Sequence, residues 1–236
     1  MSPEGAAIEP RATPAGHTWT VLKAHRLPAM GLCLAVSVAL VWVRVGFSGS
    51  ASYSFLPWNL FLAFVPYAAS VAAAALAARS PRVLLPLGVL GLLFLPNAFY
   101  VATDLVHFKA RAPIPAWFDV GLLAMAAGTG WILGLLAMRV WKRLLVERFG
   151  APFAWAAAGV SAALCGYGIY LGRFGRWNSW DVMRAPRALV SDVASHLVPP
   201  WNLEVLGVTG LFGGLILVTF VAFELDGGAR RAGRAD

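Results

Sequence analysis

Long uninterrupted apolar runs alternate with short polar segments along most of this chain. Six runs stand out, at approximately 28–46, 55–78, 83–106, 117–138, 152–172 and 205–224. Each is close to the ~20 residues that an α-helix needs to cross the hydrocarbon core of a bilayer. The apolar positions are continuous rather than alternating, which predicts helices and argues against a barrel. The expected fold is all-α, a polytopic membrane bundle of about six transmembrane helices. Residues 28–224 form its single transmembrane domain. Residues 1–27 carry Pro, Gly, Ala and isolated charges without periodicity, and read as a largely disordered segment. Residues 225–236 read as a disordered tail.

One connector departs from the pattern. After Asp181, Pro186 can start a helix and Pro199-Pro200 can stop it. Leu189, Val190, Val193 and Leu197 then share one face, opposite Asp192 and Ser195, as in a short interfacial helix. His196 falls at its headgroup boundary.

Composition agrees with the pattern. Hydrophobic residues make up 59% of the 236 and charged residues 13%, whereas soluble domains carry about 25% charged. Mean hydropathy is +0.71. A net charge of +8 would suggest nucleic-acid binding in a soluble chain. Here the basic residues are scattered among connectors and ends, so membrane topology is the better account. Twelve of the nineteen Lys and Arg fall on the side of both termini, and seven on the other, among them Arg44, Lys109, Arg111, Arg173, Arg176, Arg184 and Arg187. The bias places both termini in the cytoplasm. The first span has flanks resembling a signal peptide, but its leader is long and no A-x-A site follows, so it reads as a retained span. Cys33 and Cys165 lie within apolar runs and read as packing residues. Gly130-x-x-x-Gly134 and Gly210-x-x-x-Gly214 match the close-packing pattern of membrane helices, read as packing within the chain.

With this topology the unusual polar residues gather on the outer side. Asn59 opens the second span. Asn97, Tyr100, Asp104 and His107 close the third at spacings of 3, 4 and 3, one stripe if the helix continues through Phe108. Pro96, just before the stripe, frees a carbonyl that Asn97 is placed to satisfy. Asp119 opens the fourth span. Tyr167, Tyr170, Arg173 and Arg176 close the fifth, followed by Asn178 and Asp181. Ionisable groups at membrane depth cost enough that they face the bundle or water, so the outer ends of spans three and five are expected to meet. Asp104 and His107 supply two ligands, short of the three or four that a zinc-type site uses, and no cofactor is assigned.

Two stretches carry a family resemblance. Leu95-Pro96-Asn97-Ala98-Phe99-Tyr100-Val101-Ala102-Thr103-Asp104-Leu105-Val106-His107 is one. Gly168-Ile169-Tyr170-Leu171-Gly172-Arg173-Phe174-Gly175-Arg176-Trp177-Asn178-Ser179-Trp180-Asp181 is the other, with Trp117-Phe118-Asp119 between them. Together they resemble the bacterial membrane family catalogued as domain of unknown function 1361, over roughly spans two to six. The chain departs from that pattern at Phe99, where the family tends to have Pro, and at Gly175, where it tends to have a larger apolar residue. The resemblance implies a multi-pass bacterial membrane protein and supplies no activity; the expected location is the inner membrane.

Two functions fit. In one, an outer-face site binds or processes an anionic lipid-type molecule. Asp104, His107 and Asp181 are then the acid, base or metal-ligating groups. Asn97, Tyr100, Asp119, Tyr170, Arg173, Arg176 and Asn178 hold the substrate, the guanidinium groups matching phosphate. In the other, the chain is a non-enzymatic scaffold or accessory subunit whose outer loops dock a partner. Membrane lipids are partners in both.

Overall fold

A computed structural model describes residues 26–77, 80–196, 198–199 and 202–232, of which 226–232 by backbone only. Its described residues form helices α1 Leu27–Ser48, α2 Leu56–Leu76, α3 Leu84–Tyr100, α4 Ala116–Phe149, α5 Ala151–Arg173, α6 Asp181–Arg184, α7 Pro186–His196 and α8 Leu203–Ala232. Short 3-10 segments flank α3 at Pro81–Val83 and Val101–His107. Six helices are long and apolar enough to cross a membrane: α1, α2, α3 with its 3-10 flanks, α4, α5 and α8 through Leu225. This is an all-α multi-pass membrane protein. Consecutive spans run antiparallel, so the C-terminal ends of α1, α3 and α5 share one end of the bundle with α6 and α7.

α4 is the hub. It packs against α1, α2, α3, α5 and α8, and much of it is buried. Gly130 and Gly134 let α3 approach, since a Cβ there would lie 2.6 Å from the Ala98 carbonyl oxygen and 2.5 Å from the Phe99 ring. That glycine pair packs within the chain as expected. The second does not: a Cβ on Gly210 or Gly214 meets nothing within 4 Å, and Gly213 is instead the residue of α8 that packs on α5. Outward-facing Trp42, Phe47, Leu85, Val89, Leu211 and Val218 are exposed, an apolar belt suited to lipid.

Three expectations need correction. The fourth span was expected to end near residue 138, but α4 continues to Phe149. Its cationic extension persists because Arg139 and Lys142 both bond Glu224 of α8, while Lys142 also lies 4.0 Å over the Trp155 ring. The last helix was expected to end at 224 with an unstructured tail, yet its backbone stays helical to Ala232. The interfacial helix forms over Pro186–His196 but is rotated from its expected face. Asp192 turns toward the bundle because Trp177 Nε1 donates to its Oδ2 at 2.7 Å. His196 Nδ1 shares a 2.9 Å hydrogen bond with the Tyr167 hydroxyl, and Val190 faces outward. Leu197 and most of residues 1–27 lie outside the described residues.

The first and fourth spans are joined by a fully buried ion pair. Arg44 Nε donates to Asp119 Oδ1 at 2.6 Å and Nη2 to Oδ2 at 3.0 Å. The guanidinium lies 4.7 Å over the Tyr53 ring, and its Nη1 has no hydrogen-bond partner. Two-point pairing satisfies both charges in a place where neither could stand alone. Asp119→Asn should therefore lower stability by about 3–5 kcal/mol, because it leaves the guanidinium buried and unpaired. The double variant Arg44→Met with Asp119→Leu should recover most of that loss in a thermal unfolding measurement of the purified protein.

Candidate functional site

Proline in the third span creates the need that builds this site. Pro96 has no N–H to give the carbonyl of Leu92, four residues back, and its ring crowds that carbonyl, so the turn before it is loosened and its carbonyls are open to side-chain donors. In hydrocarbon such groups must be bonded by protein. Asn97 Nδ2 donates to Phe94 O at 3.1 Å and to Ser179 Oγ at 2.8 Å. Ser179 Oγ in turn donates to Leu93 O at 3.3 Å. The connector after α5 is thereby stitched to the broken turn of α3.

The same turn is where α5 comes closest. A Cβ on Gly168 would stand 2.7 Å from the Pro96 ring, and one on Gly172 3.2 Å from the Tyr100 ring. Beyond Tyr100 the chain winds as a 3-10 helix rather than the expected α-helix. In that geometry residues three apart eclipse, so Asp104 and His107 stack directly. The change moves the stripe without dispersing it.

Asp104 is the buried centre, its side chain 2% exposed. Asn59 Nδ2 from α2 donates to Oδ2 at 2.8 Å. On the other oxygen, Oδ1, His107 Nδ1 and Arg173 Nη1 each stand at 3.6 Å. Those are ion-pair separations, longer than hydrogen bonds. Arg173 Nη1 also reaches the Tyr100 hydroxyl at 3.4 Å. Four elements thus send polar groups to one point, and three of the groups converge without closing on one another.

The point is the polar end of a cavity of about 650 Å³. Asn59, Asn97, Tyr100, Asp104, His107, Arg173, Asn178 and Ser179 line that end. Leu62, Val89, Leu92, Leu93 and Leu164 continue the wall along α2, α3 and α5 as an apolar trough, and Leu171, Val182 and Leu189 complete the apolar lining. Of the residues singled out in the sequence, Asn97, Tyr100, Asp104, His107, Arg173 and Asn178 come together here. Four do not line the cavity. Asp119 is consumed by Arg44. Tyr170 is buried against the His196 ring, centroids 5.3 Å apart. Arg176 is exposed in the left-handed turn after α5, at φ 57°. Asp181 Oδ2 accepts from the Asn178 backbone N–H at 2.7 Å and fixes the turn into α6. Among the described residues no group of three or more His, Cys, Asp or Glu is placed to hold a metal ion.

The family described as "Protein of unknown function (DUF1361)" matches residues 58–219. The chain belongs to this family. No curated protein and no solved structure matches. In this DUF1361 protein the matched stretch begins at Trp58 and takes in every polar side chain of the cavity, while Arg44 and α1 lie outside it. Asn59 and Ser179 are the site residues that the sequence understated. Asn59 is an isolated amide at a span end, level with Asp104. Ser179 has no nucleophile motif around it, and its role follows only from the broken turn of α3.

The closeness of α3 and α5 at this turn is testable. Gly168→Val should push the helices apart, because the rigid Pro96 ring cannot yield, at a cost of about 1–3 kcal/mol. Thermal unfolding should show that loss, whereas Gly159→Val, where a Cβ meets nothing within 4 Å, should leave stability nearly unchanged.

Proposed function

We propose that this DUF1361 protein binds an anionic amphiphile, with its head group at Arg173 and its chain in the apolar trough. The carrying observation is the convergence of Asp104, His107 and Arg173 at 3.6 Å without hydrogen-bonded closure, at the end of an open apolar cavity. A guanidinium offers five donors in a planar fork. Arg173 spends one of its nitrogens on Tyr100 and stays partly exposed, with 20% of its side chain accessible. A phosphate or carboxylate matches what remains. Asp104 keeps that guanidinium from being an isolated charge at the membrane edge. His107, 45% exposed and beside a buried carboxylate, is a proton carrier within reach of a bound head group.

The topology belongs to the same reading. With both termini cytoplasmic and the protein in the inner membrane, the cavity opens to the outer face. A Cys placed at Lys109, in the exposed connector between α3 and α4, should then label with a membrane-impermeant thiol reagent from outside intact cells. Labelling only after permeabilisation would reverse the orientation.

A second reading has its own observation. The Asn97–Ser179 bridge and the Asn59–Asp104 bond tie α2, α3 and the connector together, as a structural clasp would in a scaffold subunit. The two readings separate on Arg173→Gln. A head-group site predicts normal folding and a loss of anionic amphiphile binding of roughly tenfold or more, about 1.4 kcal/mol per tenfold. The measurement is titration of the purified protein with phosphatidic acid and with the zwitterionic phosphatidylcholine as control. A clasp predicts a lowered unfolding temperature and no difference between the two lipids.

A further inference from the structure

A second cavity, of about 570 Å³, lies at the opposite end of the same helices. It is bounded by the N-terminal half of α3, the C-terminal half of α4 and the N-terminal half of α5. Val89 and Leu92 of α3 line both cavities. They sit one turn apart and are exposed at 59% and 43%, so the stretch of α3 that the two cavities share is apolar and lipid-facing. On α5 the lining runs from Phe153 in the far cavity to Arg173 in the near one. At 1.5 Å per residue those positions are about 30 Å apart, the whole thickness of a bilayer's hydrocarbon core. An acyl chain anchored at one surface reaches only about half of that depth.

The polar lining around the cations differs between the two ends. The near end offers the partly exposed Arg173 beside polar groups that converge without closing. At the far end Lys142 is held by Glu224 and lies over Trp155, leaving Arg148 exposed on the rim. We infer that the two cavities form one binding groove for a single anionic amphiphile whose apolar chain is longer than one leaflet, the class to which polyisoprenyl phosphates belong. This rests on the head-group site proposed above. The head is held at Arg173, the chain passes over Val89 and Leu92, and its end fills the far cavity between Gly88 of α3 and Ala157 of α5.

Native mass spectrometry of the full-length protein in detergent tests it, with geranyl phosphate, dioleoyl phosphatidic acid and undecaprenyl phosphate as probes. Undecaprenyl phosphate should bind one per chain and roughly tenfold tighter than either of the others. Ala157→Trp, which fills the far cavity, should abolish that preference and leave geranyl phosphate binding unchanged. Ser161→Trp, one turn further along the α5 wall of the far cavity, is the second blocking variant and should act the same way if Ala157→Trp does not fold. Equal affinity for the three probes, or two phosphatidic acid molecules per chain at saturation with no chain-length preference, would overturn the single long groove while leaving the head-group site standing. Binding of all three that is unaffected by Arg173→Gln would overturn the head-group site, and the groove with it.

Discussion

With no water in the hydrocarbon to bond a freed carbonyl, a proline inside a span has to borrow donors from elsewhere in the protein. Pro96 makes that demand, and the polar end of the bundle is organised around the answer. Asn97 and Ser179 donate to the Phe94 and Leu93 carbonyls of the turn that the proline loosens, which fixes the connector after α5 against α3. The proline ring lies directly on Gly168, so α5 runs close enough for Arg173 to arrive beside Asp104. The 3-10 turns that follow stack His107 over the same carboxylate. The proline turn thus leads, through side-chain bonding and close packing, to a cluster of ionisable groups.

Two acids at this end of the bundle show how differently a buried carboxylate can be treated. Asp119 is closed. Both of its oxygens accept from Arg44, the pair is wholly buried, and only the enclosed Nη1 of Arg44 is without a partner. Asp104 is open. One oxygen is bonded by Asn59, while the other faces two nitrogen groups that stop short of it. The first arrangement holds α1 to α4 and lines neither cavity. The second leaves donor capacity at the mouth of a cavity, and it is this contrast that supports a binding role for Arg173 and a structural one for Arg44.

The spans were legible in the sequence because continuous apolar runs have no other stable home. The meeting of Asp104 and Arg173 was legible from the cost of leaving charges unpaired at the membrane edge. The pairing of Asp119 was not. Its partner is 75 positions away in the chain and reads locally as one more cationic span end. The length of α4 was hidden for a related reason: Arg139 and Lys142 look like a connector until Glu224 of α8 is brought beside them. The face of α7 was misjudged because apolar periodicity alone set it, whereas Trp177 and Tyr167 needed polar partners and turned Asp192 and His196 inward. Ser179 carried no local signal at all, since the broken turn it repairs lies in another helix.

The central claim is that Asp104, His107 and Arg173 form an open head-group site rather than a finished clasp. An experimental structure of the protein in a lipid nanodisc tests this most directly. An open head-group site predicts non-protein density against the Arg173 guanidinium, continuous with a chain lying over Leu92. Density-free space in the cavity, with Arg173 closed onto Asp104 through two hydrogen bonds, would contradict it.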